Sequence, residues 1–449
     1  MARLAWFAPS PSASARCACH DLELVTRLEA THTVEWFCDE ERPDSPRFSS
    51  AHDFVWKHLR EPYDLAVYEL ADTPPYAFVW PYLVRYPGLV VLHDGRLHDA
   101  RGGSLLRQVR VDDYRAEFGY NHPRTSNDVP RLAHAELLGL TRELWPMRRV
   151  VLESSRLLLA PNPWIADELR QEASHDRIGV LEPGVRTPRY SDGVDDEGTA
   201  VRVRRRYGFS TDDVVFASVG DPSLRNRVPQ ILSAFAQLDD PEQKARLLLV
   251  GNDPGAIGGT ERVTLTGPLD DQTVADHLAA SDVCLSLQWP DRSDGVRSWL
   301  TAMAAGKPTV IADHAHLVDV PSLDPRDWQP RRVASPAEKS RDLAKDPTCV
   351  TIDMVDEGHS LKLALRRLAE DSQLRSRLGA NAKNLCATRF SADRMVNVME
   401  DAVTRALAVS PEAVRRPDFP PHLLADGTDV ARSTLEGLGL PPELSGLLL

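Results

Sequence analysis

The stretch from Asp282 to Asp313, DVCLSLQWPDRSDGVRSWLTAMAAGKPTVIAD, constrains the fold more than any other part of the chain. VCLSL is an apolar run of strand length, and a polar loop, DRSDG, follows Trp289 and Pro290. Val296, Trp299, Leu300 and Met303 then recur at helical spacing. The pattern predicts a helix that stops at Gly306, after which Pro308 opens a second short apolar run, TVIA. Two strands joined by a helix of small residues (AMAAG) form a βαβ unit, and such a unit belongs to a parallel sheet. Ordinary sheet packing alone would produce this spacing, but the same unit also puts a loop and a helix N-terminus at the carboxyl edge of the sheet. Backbone N–H groups and the helix dipole there favour an anion, with phosphate the default guest.

The chain has 449 residues, too many for one core, so two α/β domains are expected. A hydrophobic content of 42% fits a globular protein, and a formal charge of −13 argues against a nucleic-acid backbone or an anionic membrane as main partner. The six cysteines, Cys17, Cys19, Cys38, Cys284, Cys349 and Cys386, form neither a CxxC pair nor a zinc spacing, and reduced thiols in a cytoplasmic protein are the expectation. MARLAWFAPSP runs straight into a strand, so no secretory signal is expected. The longest apolar stretch, Tyr76 to Leu92, is interrupted by Pro81, Arg85, Pro87 and Gly88 and reads as a helix followed by a strand, not a membrane span.

In the first half, strands are expected at Leu4 to Phe7, Val34 to Phe37, Leu65 to Leu70, Gly88 to Leu92, LLLAPN and IGVLEPGV. A helix is expected from about Asp21, another over Pro163 to Gln171, and a helical pattern over residues 97 to 153. In that pattern Arg148 and Arg149 read as a solvated helix end. His93 closes a buried strand, so its side chain should emerge at the carboxyl edge of the sheet, where it can be structural or can hydrogen-bond a ligand. Asp94 is placed to orient its imidazole. His98 carries less weight. The loop APSPSASAR offers Ser10, Ser12 and Ser14 as hydroxyls and Arg16 as a charge, or it is a plain Pro/Ser loop.

RTPRYSDGVDDEGT, Arg186 to Thr199, is polar and acidic and suits an interdomain connection. Its DGVDD run lacks the glycine turn and terminal glutamate of a calcium loop, and no metal site is assigned. VVFASVG, RLLLVGND and RVTLTGPLDD then read as strands ending in Gly220, Gly251 and Gly267, and CVTIDM as another. Between the first two lies RNRV, with Arg225, Asn226 and Arg227 at a helix start, where two cations oppose the helix dipole. Residues 410–449 are Pro-rich and close on LPPELSGLLL. This tail could pack on the first domain, mediate self-association or be disordered.

RSDGVRSWLTAMAAGKPTVIAD resembles the donor-binding segment of retaining, family 4 type glycosyltransferases of the GT-B fold. ADTPPYAFVWPYLVRYPGLVVLHDGRLHDA resembles a bacterial subgroup of that family whose strand ends in V-V-L-H-D. The resemblance extends to about residue 409. It implies two Rossmann-like domains facing each other across a cleft, with a C-terminal helix crossing back to the first. The implied boundaries are 1–186 for an acceptor domain, 187–200 for a linker, 201–390 for a nucleotide-sugar donor domain, 391–409 for the closing helix and 410–449 for the tail.

On the same ground the implied activity is transfer of a sugar, with retention, from a nucleotide diphosphate sugar to an acceptor, without metal or cofactor. His93 and Asp94 would act with Arg225 and Arg227, the arginines taking charge from the leaving diphosphate. Gly220, Asn226, Gly251, Gly267, Asp294, Gly295, Val296, Ser298 and Thr301 would complete the donor side, and Ser14, Arg16, Asp72 and Tyr76 the acceptor side. The sequence departs from the subgroup in several places. Ala71, Asp72 and Tyr76 replace a glycine, an asparagine and a histidine. Thr301 replaces a carboxylate that holds the ribose, and the first loop lacks its glycines. A non-catalytic GT-B-like binding or partner protein is therefore the alternative. No nucleic-acid partner and no transmembrane segment are expected; an oligomer, and peripheral membrane contact with a lipid acceptor, stay open.

Overall fold

The computed structural model describes residues 1–10, 18–40, 47–173, 175–185, 196–220, 226–238, 244–252, 260–289, 293–314, 317, 319–331, 346–414, 418–425 and 428–441. The chain divides into two units, Met1–Leu181 with Val396–Leu449, and Glu182–Met395. Each is built on a seven-stranded sheet whose pairings are all parallel.

In the first unit the strands are β1 (Arg3–Phe7), β2 (Thr33–Cys38), β3 (Phe48–Ser50), β4 (Leu65–Leu70), β5 (Leu89–Leu92), β6 (Leu157–Ala160) and β7 (Ile178–Val180), in the order β3-β2-β1-β4-β5-β6-β7. Their apolar runs are buried on both faces, as expected where helices cover both sides of a parallel sheet. Phe7, Phe37, Phe54 and Tyr68 pack ring against ring on one face. Consecutive strands lead outward from β1 in one direction and from β4 in the other, so the order reverses between them.

The second unit repeats the plan with β8 (Val214–Val219), β9 (Ala245–Val250), β10 (Val263–Leu265), β11 (Val283–Ser286), β12 (Thr309–Ala312), β13 (Ser322–Leu323) and β14 (Cys349–Ile352). Their order is β10-β9-β8-β11-β12-β14-β13, and the reversal falls between β8 and β11. β11, the helix Ser293–Ala304 and β12 are the βαβ unit of the opening stretch. The helix ends as its sequence predicts: Gly306 takes φ +69°, its N–H bonds the Met303 carbonyl, and the Lys307 N–H bonds that of Ala302. Gly379 of the helix Ser372–Arg389 packs so closely here that a Cβ on it would lie 2.1 Å from the Gly306 carbonyl oxygen.

Some expectations give way. Residues 97 to 153 are not one helical run but short pieces, among them His98–Gly103, Val111–Asn121, Asp128–His134 and Arg149–Ser154. Pro123 and Pro146 interrupt the pattern. Arg148 is no solvated helix end. It is buried, its guanidinium held by Glu168, Glu172 and the Gly95 carbonyl oxygen. The helix Asp196–Tyr207 takes up the last residues of the stretch read as a linker, and residues 186–195 lie outside the described ones.

The helix Ala392–Leu407 begins in the second unit and runs on into the first. There Glu400 Oε2 lies 2.8 Å from His32 Nε2, and the Leu407 carbonyl accepts from Arg156 Nη2 at 3.0 Å. Part of the tail packs on the first unit. Phe419 and Leu423 join its core, Phe419 edge-on to Tyr120, and His422 Nε2 lies 2.7 Å from Glu117 Oε1. Arg101 forks onto the same buried carboxylate. No helix among the described residues is long and apolar enough to cross a membrane.

Candidate functional site

Ligands of open α/β sheets sit beyond the carboxyl ends of the strands, where the strand order reverses. Each unit gathers polar groups at such a point.

In the second unit the groups come from the ends of β8, β9, β11 and β12. Gly220, just past β8, has φ +136°, and a Cβ on it would lie 2.6 Å from Asn226 Nδ2, so glycine is required on both counts. Its carbonyl accepts from Asn252 Nδ2 at 2.7 Å. Asn252 is buried, its own carbonyl accepts from the Gly267 N–H, and its Oδ1 has no hydrogen-bond partner among the described residues. Gly251 donates its N–H to Thr266 Oγ1 at 3.0 Å. Asn226 Oδ1 accepts from Gln288 Nε2 at 3.0 Å, and the Gln288 carbonyl oxygen lies 2.6 Å from His314 Nε2. Asn226, Gly220, Gly251 and Gly267 of the expected set are thus assembled around two amides, Asn252 and Gln288, that sequence reading passed over.

Arg227 opens the helix Val228–Ala236 in a left-handed backbone conformation, φ +54°, uncommon for a side chain of this size. Its guanidinium is bound by Glu357, Nε to Oε1 at 2.7 Å with a second bond from Nη2 to Oε2. These bonds raise its pKa above the usual arginine value. The cation expected to receive a leaving group therefore holds a carboxylate, which is itself the first residue of the helix Glu357–Glu370. Glu357 was not foreseen; it lies 130 residues away in sequence.

Arg225, Ser14 and Arg16 lie outside the described residues. Asp294, Gly295 and Val296 fall in the first turn of the helix Ser293–Ala304, and Ser298 and Thr301 further along it, both half-buried.

In the first unit the ladder of β4 and β5 continues past Leu92, with the His93 N–H bonding the Leu70 carbonyl at 2.8 Å. This carries the His93 side chain out at the carboxyl edge, 20% exposed. Its Nε2 lies 3.0 Å from Oε2 of Glu69, a fully buried residue of β4, and Trp6 of β1 donates its indole N–H to Glu69 Oε1 at 2.7 Å. The array Trp6–Glu69–His93 therefore spans the point where the strand order reverses. The sequence held one signal for it, a lone carboxylate in the apolar run LAVYEL, since a buried carboxylate needs partners.

Asp94, expected to orient the imidazole, accepts the Asp72 N–H on Oδ2 at 2.8 Å, and Asp72 Oδ1 accepts the Ala100 N–H at 2.9 Å. Both aspartates are buried and tie the two strand-end loops together. Tyr76 is buried with its ring 6.4 Å from that of His93. His98 is held by the Trp145 carbonyl oxygen at 2.9 Å and the Tyr114 hydroxyl at 3.0 Å, a structural arrangement. Among the described residues no three His, Cys, Asp or Glu are grouped to hold a metal ion.

Residues 213–340 match the family model of glycosyl transferases group 1. No curated protein matches the sequence. Among solved structures, sucrose-phosphate synthase from Thermosynechococcus elongatus is similar, with 16% identity, 91% of this chain and 100% of that one covered, and a TM-score of 0.59. HepE from Anabaena, solved with UDP and glucose, is 16% identical over 90% of this chain and 100% of its own, with a TM-score of 0.56. WaaG, a glycosyltransferase involved in lipopolysaccharide biosynthesis, is 15% identical over 89% and 99%, with a TM-score of 0.55. These likenesses show the fold, which is GT-B.

Proposed function

We propose that the protein transfers a sugar from a nucleotide diphosphate sugar to an acceptor hydroxyl, with retention and without a metal. The observation that carries this is the cluster at the β8–β11 reversal, which lies inside the stretch matching glycosyl transferases group 1. Gly220, Gly251 and Gly267 let backbone approach a ligand, while Asn226, Asn252 and Gln288 supply amide donors and acceptors suited to a base and ribose. Arg227 and Arg225 are the cations assigned to the diphosphate, with Asp294, Gly295, Val296, Ser298 and Thr301 beside it on the helix N-terminal turns.

In the reaction the bond from the anomeric carbon to the β-phosphate oxygen breaks. The acceptor oxygen forms its bond from the face the diphosphate leaves, and its proton passes to that phosphate. Arginine takes up the negative charge as it appears. His93, with Asp72, Asp94 and Tyr76 around it, is assigned to the acceptor side.

The test is a thermal-shift screen of UDP-, GDP-, ADP- and TDP-linked sugars, followed by donor turnover with the donor that raises the melting temperature. UDP-glucose comes first, since HepE was solved in complex with it. Turnover abolished in Arg227→Ala supports the reading; no binding of any nucleotide sugar removes it. The second reading, a binding protein without catalysis, is favoured by one observation, that Glu357 already neutralises Arg227. It predicts a donor-induced shift with no turnover.

A further inference from the structure

We propose that Glu69 is a positioning residue for His93, holding the imidazole in the tautomer that carries its proton on Nε2 and presents Nδ1 as an acceptor. The inference rests on the reading of His93 as an acceptor-side group.

The geometry leaves Glu69 little choice. Its side chain has 0% exposure, so it has no water to solvate its charge and must take hydrogen bonds from protein donors. An indole N–H can only donate, so Trp6 fixes Oε1 as an acceptor. Oε2 faces His93 Nε2 at 3.0 Å, and an ionised carboxylate there requires that nitrogen to bear the hydrogen. In the neutral ring the other nitrogen, Nδ1, is then the base. When the ring takes a second proton, the carboxylate behind it stabilises the cation. A buried carboxylate that orients an imidazole this way is how histidines are held in hydrolytic triads and behind metal ligands, though neither chemistry is implied here.

Placement separates this array from a merely structural pair. A histidine that only filled the core would be buried with its partner, as His98 is against Tyr114. His93 is the reachable end of a chain whose other two members are sealed in the sheet, at the strand-order reversal. Asp72, Asp94 and Tyr76, the other titratable groups near it, are buried, and the two aspartates accept backbone N–H groups of the strand-end loops.

The test uses the full-length chain labelled with ¹⁵N-histidine. In the wild type the His93 signals should report Nε2–H and an unprotonated Nδ1. In Glu69→Gln the tautomer should mix or invert, because the amide can donate to Nε2. With the donor found by screening, Glu69→Gln should lower kcat about tenfold or more, leaving KM for the donor unchanged. In a His93→Gln background the second change should have no further effect.

A wild type whose His93 carries its proton on Nδ1 overturns the proposal, and this measurement needs no variant to fold. An unaltered tautomer in Glu69→Gln overturns it equally. If the wild type turns over no donor, it is the transfer reading that fails, while the ¹⁵N signals still decide whether Glu69 positions His93.

Discussion

The two sheets share a topology, but the edges where their strand order reverses are equipped differently. At the first, the described groups are a carboxylate and an imidazole, Glu69 and His93, with Asp72 and Asp94 accepting backbone N–H groups. At the second, the lining is backbone and amide, with Gly220, Asn226, Asn252 and Gln288, and the charges of Arg227 and Glu357 cancel. A surface of amides and open backbone suits a ligand recognised by shape and hydrogen bonds. A histidine backed by a buried carboxylate suits a group that must give, take or orient a proton. The proposed roles of the two edges can therefore be attacked independently.

Removing the cation should have the largest effect. Arg227→Ala strands the Glu357 carboxylate, and turnover with the screened donor should fall roughly a hundredfold, the usual size for losing one preorganised charge-stabilising donor. Arg227→Gly with Glu357→Gln should lose as much activity while melting no lower than wild type, since glycine relaxes the left-handed backbone and no carboxylate is left unpaired. Retained turnover in that double variant would erase the distinction between the two edges.

Gly220→Ala is next. It forces both a disallowed backbone angle and a contact with Asn226, so a cost of order 1–3 kcal/mol is expected in urea unfolding, together with weakened donor binding by calorimetry. The corresponding change at the first edge, Asp94→Asn, should leave donor affinity unaltered and lower stability by about 1 kcal/mol, since it weakens one bond to the Asp72 N–H.

The smallest effect concerns the tail. Burial pushes the Glu117 carboxyl up, but hydrogen bonds from His422 and Arg101, with the Arg101 charge, outweigh it and hold the pKa below its ordinary 4.5. The stability this contributes is present above pH 4.5 and is lost as pH falls through the depressed value. Hydrogen-exchange protection around residues 418–425, taken relative to the intrinsic rate at each pH, should thus hold down to about pH 4.5 and fall below it, and His422→Ala should lower it by an amount corresponding to about 1 kcal/mol.

Much of the framework could be read from the chain, because strands sealed on both faces of a parallel sheet must be apolar runs. VCLSL, TVIA, LAVYEL and LVVL are recognisable for that reason, as is the stop at Gly306. His93 was legible by its place after such a run. Its pairing was not: Glu69 reaches His93 only through the pairing of β4 with β5, and Trp6, 63 residues from Glu69, only through that of β1 with β4. Arg227 was named, but its partner Glu357 escaped notice for the same reason. Arg148 misled because a cation beside another cation looks solvated in sequence, whereas its carboxylates come from the helix Pro163–Glu172. A local pattern reports what a residue is beside along the chain, and these functional pairings are made across it.

The helix that returns from the second unit to the first has a consequence for synthesis. By the time residue 181 leaves the ribosome the first sheet is present, but Glu400, Phe419 and Leu423 do not yet exist to cover it, and the second unit is translated in between. The half begun earlier is completed later. A nascent chain arrested before residue 396 should present a finished second unit and an unfinished first one, with apolar surface around Tyr120 open to chaperones.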